Sequence, residues 1–534
     1  MTTTTLPYPG DFERERNKAW IEENIWGHRF RNDQEPWMVL LEALNLCRYV
    51  AEQNPDDLFG DTGPRADDPR HEKISFELPL EMELRYLLFQ DNHVLTIRDS
   101  PTHATDDAKW KAWLATAAEN YLADPGKQQN PFDYLRGQFR SFQAFADTVE
   151  LARSMQIEAE RNRRWTSLHL TPHGPDTLLP DVRQLRSGSR PDYDRRFFSR
   201  GGELVYFMLN RSRHADTLRP LVQKRLLDPD NRWNQLIRRL KPATGTEAEN
   251  VSSQTGYLPS AHHPAYDRLA EDWRALLSLE NLPDDHLIDP LMRLTGLGAL
   301  LYILERAADE LGETKPPPFP LEFLAAGANS WRKCAVEHAR LHQEMTPRAL
   351  AHFVARTIEA SAEWPGDADV PDASRRAGEV LANRFLWKPK NGGKPGTPKA
   401  QLDDMTRWAD KNHRSRLGRV PSIFAQQIGL GATRRGVAGR WYSASDPLLE
   451  ALVLANVTTP LEYGLFLERL FERYHFVADA RAAERAFDEP PVPVELLERN
   501  DRMLEQRLQA LGLLKRLSDD CAFVENPFFS GDGR

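Results

Sequence analysis

Residues 494–527, VELLERNDRMLEQRLQALGLLKRLSDDCAFVENP, change their hydrophobic period partway along. Up to Leu511 the apolar side chains Leu497, Met503, Leu504, Leu508 and Leu511 recur at helical spacing, and Gly512 suits the left-handed residue that ends a helix. Beyond it, residues 513–518 and 521–524 flank the turn pair Asp519-Asp520 and read as a two-stranded hairpin. Working back along the chain, Asp446-Pro447 is an N-cap followed by a proline suited to the first helical position, with Leu448, Leu449, Leu452 and Val453 on one face. Thr459-Pro460 opens a second helix whose inward residues are Tyr463, Phe466, Leu467, Leu470 and Phe471. The expectation for this end of the chain is three helices followed by a hairpin.

Helices followed by LQALGLLKRLSDDCAFVENP make residues 446–534 resemble a winged-helix domain, the hairpin at Asp519-Asp520 being the wing. The resemblance implies a third helix that enters the DNA major groove and a wing that touches phosphate. The charges depart from that pattern. Between Glu495 and Arg507 stand Arg499, Arg502 and Arg507 against Glu495, Glu498, Asp501 and Glu505, a net of −1 that matches a duplex poorly. Arg499, Asn500 and Arg502 are therefore expected to meet a protein partner ahead of DNA. More broadly, Ile25-Trp26-Gly27-His28-Arg29-Phe30, the Trp37 to Leu46 run and the Asp446 to Val457 run resemble components of bacterial multigene anti-phage systems of the methylation-associated type, which implies an accessory protein that acts with other subunits.

The remainder of the 534 residues reads as mainly α and multidomain, since a chain of this length exceeds what one core usually supports. The expected segments are a helical 1–160, a basic mixed region 161–260, a central helical 261–383, a basic loop and helix region 384–445, and the 446–534 module. Helices are expected near residues 12–25, 37–51, 80–89, 108–122, 131–155, 266–311 and 320–362. The run Leu204 to Leu209 is either a buried strand or a buried helix turn, which periodicity cannot decide. Half of residues 388–399 are Gly or Pro, the composition of a flexible loop. The first residues lack a basic n-region followed by an apolar run, and no stretch reads as a run of roughly 20 apolar residues. The protein is expected in the cytoplasm, without membrane contact, and the three cysteines Cys47, Cys334 and Cys521 lie too far apart for a disulfide framework or a CxxC zinc site.

Charge is distributed unevenly along the chain. The formal net charge is −9, yet residues 384–440 hold thirteen Lys or Arg against Asp403, Asp404 and Asp410, and residues 161–241 hold eighteen basic against eight acidic residues, +10 in each tract. Such asymmetry points to a polyanion or an acidic partner at particular faces. In the second half Lys411, Arg414, Arg416 and Arg419 flank His413, and Arg434 and Arg435 precede Gly436, Gly439, Arg440 and Trp441-Tyr442. Basic side chains neutralise phosphate, and Trp441 or Tyr442 is the type of ring that stacks on a base. Lys411, Arg414, Arg416, Arg419, Arg434, Arg435, Arg440 and Trp441 are the expected nucleic-acid contacts; the alternative is a basic surface that packs on an acidic partner or on an acidic face of the same chain.

Catalytic constellations are weaker. Cys334, His338 and His342 share a helical face, but a rise of about 1.5 Å per residue separates the outer two by about 12 Å, too far for one ion held at about 2 Å. His338 with His342 remains a two-ligand possibility, and no metal is assigned. His103-Ala104-Thr105 and His169-Leu170-Thr171 mimic the HxT pair of two-histidine phosphoesterases, which needs both histidines on facing strands; His103 sits in an Asp/Pro/Thr loop. Asp309 with Glu313 and Lys315 lies at the end of a helix, and Gly392 to Thr397 lacks the GxxxxGK[ST] order. The reading is a non-catalytic DNA-binding or adaptor subunit of a larger prokaryotic assembly, with no cofactor. Its rivals are a metal-dependent nuclease using Asp192, Asp194 and Glu203, and a protein-only scaffold whose basic tracts dock acidic partners.

Overall fold

Residues 284–311, DDHLIDPLMRLTGLGALLYILERAADEL, carry apolar side chains on every side, a composition that buries a helix all round. The computed structural model describes residues 6, 8, 20–28, 30–60, 71–121, 130–157, 164–183, 192–193, 198–242, 250–324, 329–366, 372–388, 396–433, 439–518 and 521–529. In it this segment is the single helix Asp284–Leu311, long and apolar enough to cross a bilayer by composition, yet 89% of its most apolar window is buried inside the protein. Helices Pro36–Gln53, Pro264–Leu277, Ser330–Glu359, Val420–Gln427 and Asp446–Asn456 surround it. The short helix Trp20–Trp26 ends against it, where Tyr302 Oη donates to Trp26 O at 3.0 Å and Arg306 Nε to Ile25 O at 3.2 Å. Carbonyls at a helix end that have no partner in their own helix are thus satisfied by the central one.

The protein is mainly α, with twenty α-helices and eleven short strands among the described residues. Its main apolar core runs from Trp20 to Val524, so distant parts of the sequence share one interior. A second cluster, with Trp110, Trp113, Phe142 and Phe145 at its centre, gathers residues between Leu84 and Leu240. A third joins Trp331 and Cys334 to Phe471, Val477, Val492 and Leu497.

Several local expectations change in the fold. The run at 204–209 lies within the fully buried helix Gly201–Asn210, which settles the choice left open by its periodicity. It lies so close to Pro36–Gln53 that a Cβ on Gly202 would stand 2.4 Å from Glu42 Cβ and 2.5 Å from Val39 O, and the Gly202 N–H donates to Glu42 Oε2 at 2.7 Å. The stretch 131–155 divides into Asp133–Gln138 and Phe142–Arg153, because Ser141 caps the second helix by accepting from Ala144 N–H. The stretch 320–362 begins instead with the two-residue strand Phe319–Pro320, and its helix Ser330–Glu359 starts at the Asn329 cap. Much of the expected loop at 388–399 lies outside the described residues, and helix Pro398–Arg414 starts earlier than its apolar pattern suggests.

At the C-terminal end the order is helix Asp446–Asn456, strand Leu461–Glu462, helix Tyr463–Tyr474, strand Phe476–Val477, helices Ala480–Ala486 and Val494–Ala510, then strands Leu514–Ser518 and Cys521–Val524; Phe476–Val477 pairs with Phe319–Pro320, and the other three strands form a sheet of their own. The helix 480–486 has no counterpart in the pattern of the sequence. The last strand lies between the other two in a three-stranded antiparallel sheet, with Leu514 opposite Val524 and Leu461 opposite Val524 on its other edge. Gly512 has φ +72°, the conformation foreseen for it, while the turn pair Asp519-Asp520 lies outside the described residues.

This end is fastened to the rest by polar contacts in a dry setting. Tyr474 Oη donates to Asp272 Oδ1 at 2.7 Å and accepts from Asn456 Nδ2 at 3.0 Å, and Arg473 reaches Asp272 and Glu271. Burial pushes the Asp272 carboxyl up, opposed by Arg473. Tyr474→Phe deletes the hydroxyl shared by two buried groups and is expected to cost about 1–3 kcal/mol. A lower urea midpoint at unchanged slope checks it; an unchanged midpoint would show that the clasp contributes nothing.

Candidate nucleic-acid interface

Helix Pro398–Arg414 opens with Thr397 Oγ1 accepting from Ala400 N–H and with Pro398 in its first turn. Gln401, Met405, Ala409 and His413, four residues apart in turn, are its inward stripe. His413 fixes the helix in place: Nδ1 lies 2.8 Å from Glu22 Oε1, Nε2 lies 2.9 Å from Thr346 Oγ1, and the ring stacks on Trp26 at 5.5 Å. The inward stripe turns Lys399, Arg407, Lys411 and Arg414 to solvent. Lys411 and Lys399 are exposed and have no ion pair among the described residues, and the same holds for Arg419, Arg384 and Lys388. Arg407 pairs with Asp404. Arg414 lies 3.0 Å from Asp410 and 2.9 Å from Glu344, whose carboxylates hold its guanidinium pKa above the usual range. Arg416 is half-buried, its N–H donating to His413 O at 2.9 Å.

Two of the expected contacts turn inward. Strand Trp441–Tyr442 pairs antiparallel with Gly431–Ala432 and lies against Ser330–Glu359, which carries its rings into the core. Trp441 is 6% exposed beneath the Arg332 guanidinium, 4.7 Å from the ring centroid, and Tyr442 Oη meets His342 Nδ1 at 2.9 Å. Arg440 is spent on Ser422 and on Gln426 Oε1 at 2.9 Å, and burial pulls its pKa down. Trp441 is thus withdrawn from the surface, while Arg440 is half-buried with its guanidinium bonded within the chain; Arg434 and Arg435 lie outside the described residues. Sequence reasoning gave Arg384, Lys388 and Lys399 no site role, although the spacing of Gln401, Met405, Ala409 and His413 shows which face of the helix stays wet.

Much of the other basic tract's described part is answered within the chain. Arg213 pairs with Asp267 at 2.7 Å, Lys224 with Glu280 at 3.4 Å, Arg225 with Asp284 at 2.9 Å and Arg232 with Asp285 at 3.3 Å. Arg238 and Lys241 converge on Asp176 at 2.9 and 3.0 Å, and the buried Arg211 donates to the carbonyls of Leu258 and Ser260. The carboxylates that meet these cations belong to the 264–285 segment and to Asp176, while Arg161, Arg163, Arg186, Arg190, Arg195 and Arg196 lie outside the described residues.

The last helix of the C-terminal end, Val494–Ala510, presents Arg499, Arg502, Gln506 and Gln509 to solvent, preceded by Glu495 and Glu498. Asn500 is fully buried, its Nδ2 donating to Leu321 O at 2.9 Å and Ala478 O at 2.8 Å while its Oδ1 accepts from Phe323 N–H at 2.7 Å. Every polar atom of that amide is used at home, so Asn500 is an internal latch and not a partner contact. Asp501 also turns inward, accepting from Tyr463 Oη at 2.6 Å; burial, with Asp479 and Glu505 nearby, pushes its carboxyl up to about 6.

Several groups of the catalytic readings are engaged in structural bonds. Glu203 is buried and its Oε2 accepts from Gly256 N–H at 2.7 Å and Arg200 Nη1 at 3.1 Å; Asp194 lies outside the described residues, and Asp192 belongs to a two-residue strand paired with 182–183. Burial pushes the His342 imidazole down to about 3, and its Nε2–H donates to Pro317 O at 2.8 Å while Nδ1 accepts from Tyr442 Oη. His338 Nδ1 is held by Cys334 O at 2.9 Å. His169 is buried with Nδ1 3.2 Å from Leu179 O. Among the described residues no group of three or more His, Cys, Asp or Glu gathers to hold a metal ion.

The raised Asp501 carboxyl has a pH consequence. The folded state holds its proton more tightly than the unfolded chain, whose aspartates titrate near 3.9. The stabilisation is full below the unfolded value and is lost as pH rises through about 6. Asp501→Asn is expected to remove this slope, so that the stability difference between wild type and variant changes from pH 4 to pH 6 and is flat above 7. Parallel chemical denaturation curves at each pH measure it, and a constant difference would refute the assignment. No protein-family model matches the chain, and no curated protein matches it at a significant level.

Proposed function

We propose that this protein is a non-catalytic DNA-binding subunit that grips phosphate through the basic surface of residues 384–419. The observation that carries the reading is the contrast between two tracts of equal charge. In one, Arg213, Arg225 and Arg232 are matched by carboxylates of the same chain; in the other, Arg384, Lys388, Lys399, Lys411 and Arg419 remain exposed without an ion pair among the described residues. Unmatched cations, Lys399 and Lys411 on the helix anchored by His413 and the others on the segments beside it in sequence, form a counter-surface for a polyanion, and release of condensed counterions supplies the affinity. The order of helices and the strand order at 461–524 support a winged-helix-like module beside it. The exposed stripe of Val494–Ala510 opens on Glu495 and Glu498, so Arg499 and Arg502 are left to a partner subunit. That division of labour accords with the resemblance to multigene anti-phage assemblies.

Fluorescence anisotropy with a labelled DNA duplex tests the proposal. Five phosphate contacts give a slope of log K against log salt of about −4.5. The double variant Lys411→Glu/Arg419→Glu should weaken binding by at least about tenfold and flatten the slope by about 2, with the melting temperature unchanged because both side chains are exposed. Arg232→Glu, in the internally matched tract, should leave affinity within about twofold. Binding indifferent to salt, or weakened equally by both variants, would overturn the proposal.

A further inference from the structure

The basic surface at 384–419 withholds all but one of its aromatic rings from solvent. Between residues 384 and 442 the rings are Phe385, Trp387, Trp408, Phe424, Trp441 and Tyr442, and the segments 389–395 and 434–438 contain none. Phe385, Trp387, Phe424, Trp441 and Tyr442 are buried, and Trp408 is half-buried against the main core. Four of them have a specific neighbour in the interior. Phe385 stacks on Trp20 at 5.8 Å, Phe424 meets Phe30 edge-on at 6.1 Å, Trp441 lies under Arg332, and Tyr442 is held by His342.

This arrangement decides between two forms of the same polyanion. Surfaces that hold single strands combine cations with exposed rings on which unpaired bases stack, each stacked base being worth about five- to 150-fold in affinity. Where the rings are withheld, only the phosphate term is left. That term favours the denser charge of a duplex, which releases about 0.9 counterion per contact against about 0.7 for a single strand. Lys399 and Lys411 lie on one helix, twelve residues and about 18 Å apart at helical rise, while Arg384 belongs to helix Ala373–Phe385 and Arg419 to the short turn of helix Leu417–Arg419.

We infer that the 384–419 surface selects double-stranded over single-stranded DNA, because it presents exposed cations while five of the six aromatic side chains between residues 384 and 442 are buried in the core. The inference rests on the reading of this surface as a DNA-binding face. It separates two properties that a basic tract ending in Trp-Tyr leaves joined, namely phosphate neutralisation and base stacking.

The test titrates the full chain with a labelled duplex and, separately, with each of its two strands at about 0.1 M salt. The duplex is expected to bind at least about tenfold more tightly than either strand, and tryptophan fluorescence should be unchanged on saturation with single strand. Lys411→Glu/Arg419→Glu should weaken both forms, placing them on the same surface. Equal or tighter binding of a single strand, or tryptophan quenching that tracks its binding, overturns strand selection while leaving DNA binding intact. Binding of neither form overturns the DNA reading and this inference with it.

Discussion

The structure depends on the enclosure of one helix. Asp284–Leu311 has no polar side along its middle turns: Leu287, Leu291, Leu294, Leu297, Leu300, Leu301 and Leu304 point in all directions and are buried. Each such side chain favours burial by about 1.5–3 kcal/mol, so neighbours must cover every face. Helices drawn from residues 36–53, 264–277, 330–359, 420–427 and 446–456 do so, which brings the N-terminal, central and C-terminal parts of the chain onto a common core. Gly296 and Gly298 allow that approach to be close, with Pro36, Ile428 and Leu269 lying where side chains would otherwise stand.

Once the helices are gathered, the charges are sorted by what they find opposite them. The Pro264–Leu277 helix and the start of Asp284–Leu311 carry Asp267, Glu271, Asp284 and Asp285 toward the 213–232 segment, and the cations there are neutralised in place. Helix Pro398–Arg414 is positioned from the other side by His413 between Glu22 and Thr346, and its outer face looks away from those carboxylates. Equal charge in the sequence therefore becomes unequal charge at the surface. An exposed ion pair contributes little to stability, but its formation removes the tract from the set of surfaces that attract a polyanion.

The C-terminal end is joined to the core by buried polar latches as well as by apolar contact. Asn500 bonds the backbone of residues 321, 323 and 478, Glu322 pairs with Arg332 at 3.0 Å, and that guanidinium covers Trp441. The parallel pairing of Phe319 with Phe476 and Pro320 with Val477 adds a backbone seam at the same place. Removing one partner from such a network leaves a buried group without its bond, which is costlier than the bond is favourable. Orientation of this end relative to the central helices is consequently set by directional contacts and not by the fit of apolar faces alone.

Much of the architecture follows from local pattern. Caps and prolines such as Thr105, Ser141, Pro447 and Gly512, together with apolar periodicity, determine helix type and the C-terminal hairpin, because these signals act over one or two turns; the cap of helix Asp446–Asn456 is Ser445, and Asp446, expected as the cap, lies inside its first turn. What they leave open is the state of runs with no polar face, as at 204–209, where burial by Pro36–Gln53 selects a helix. The candidate site was legible as a charge excess, as Arg419, and as Lys411, whose exposure follows from the period of its own helix. The fates of Arg440, Trp441 and Asn500, and the ion pairs of the 213–241 segment, were not legible, since each depends on atoms tens to hundreds of residues away in sequence. Hydrogen bonds and ion pairs need partners within about 3–4 Å, and only the tertiary structure decides which partners come that close.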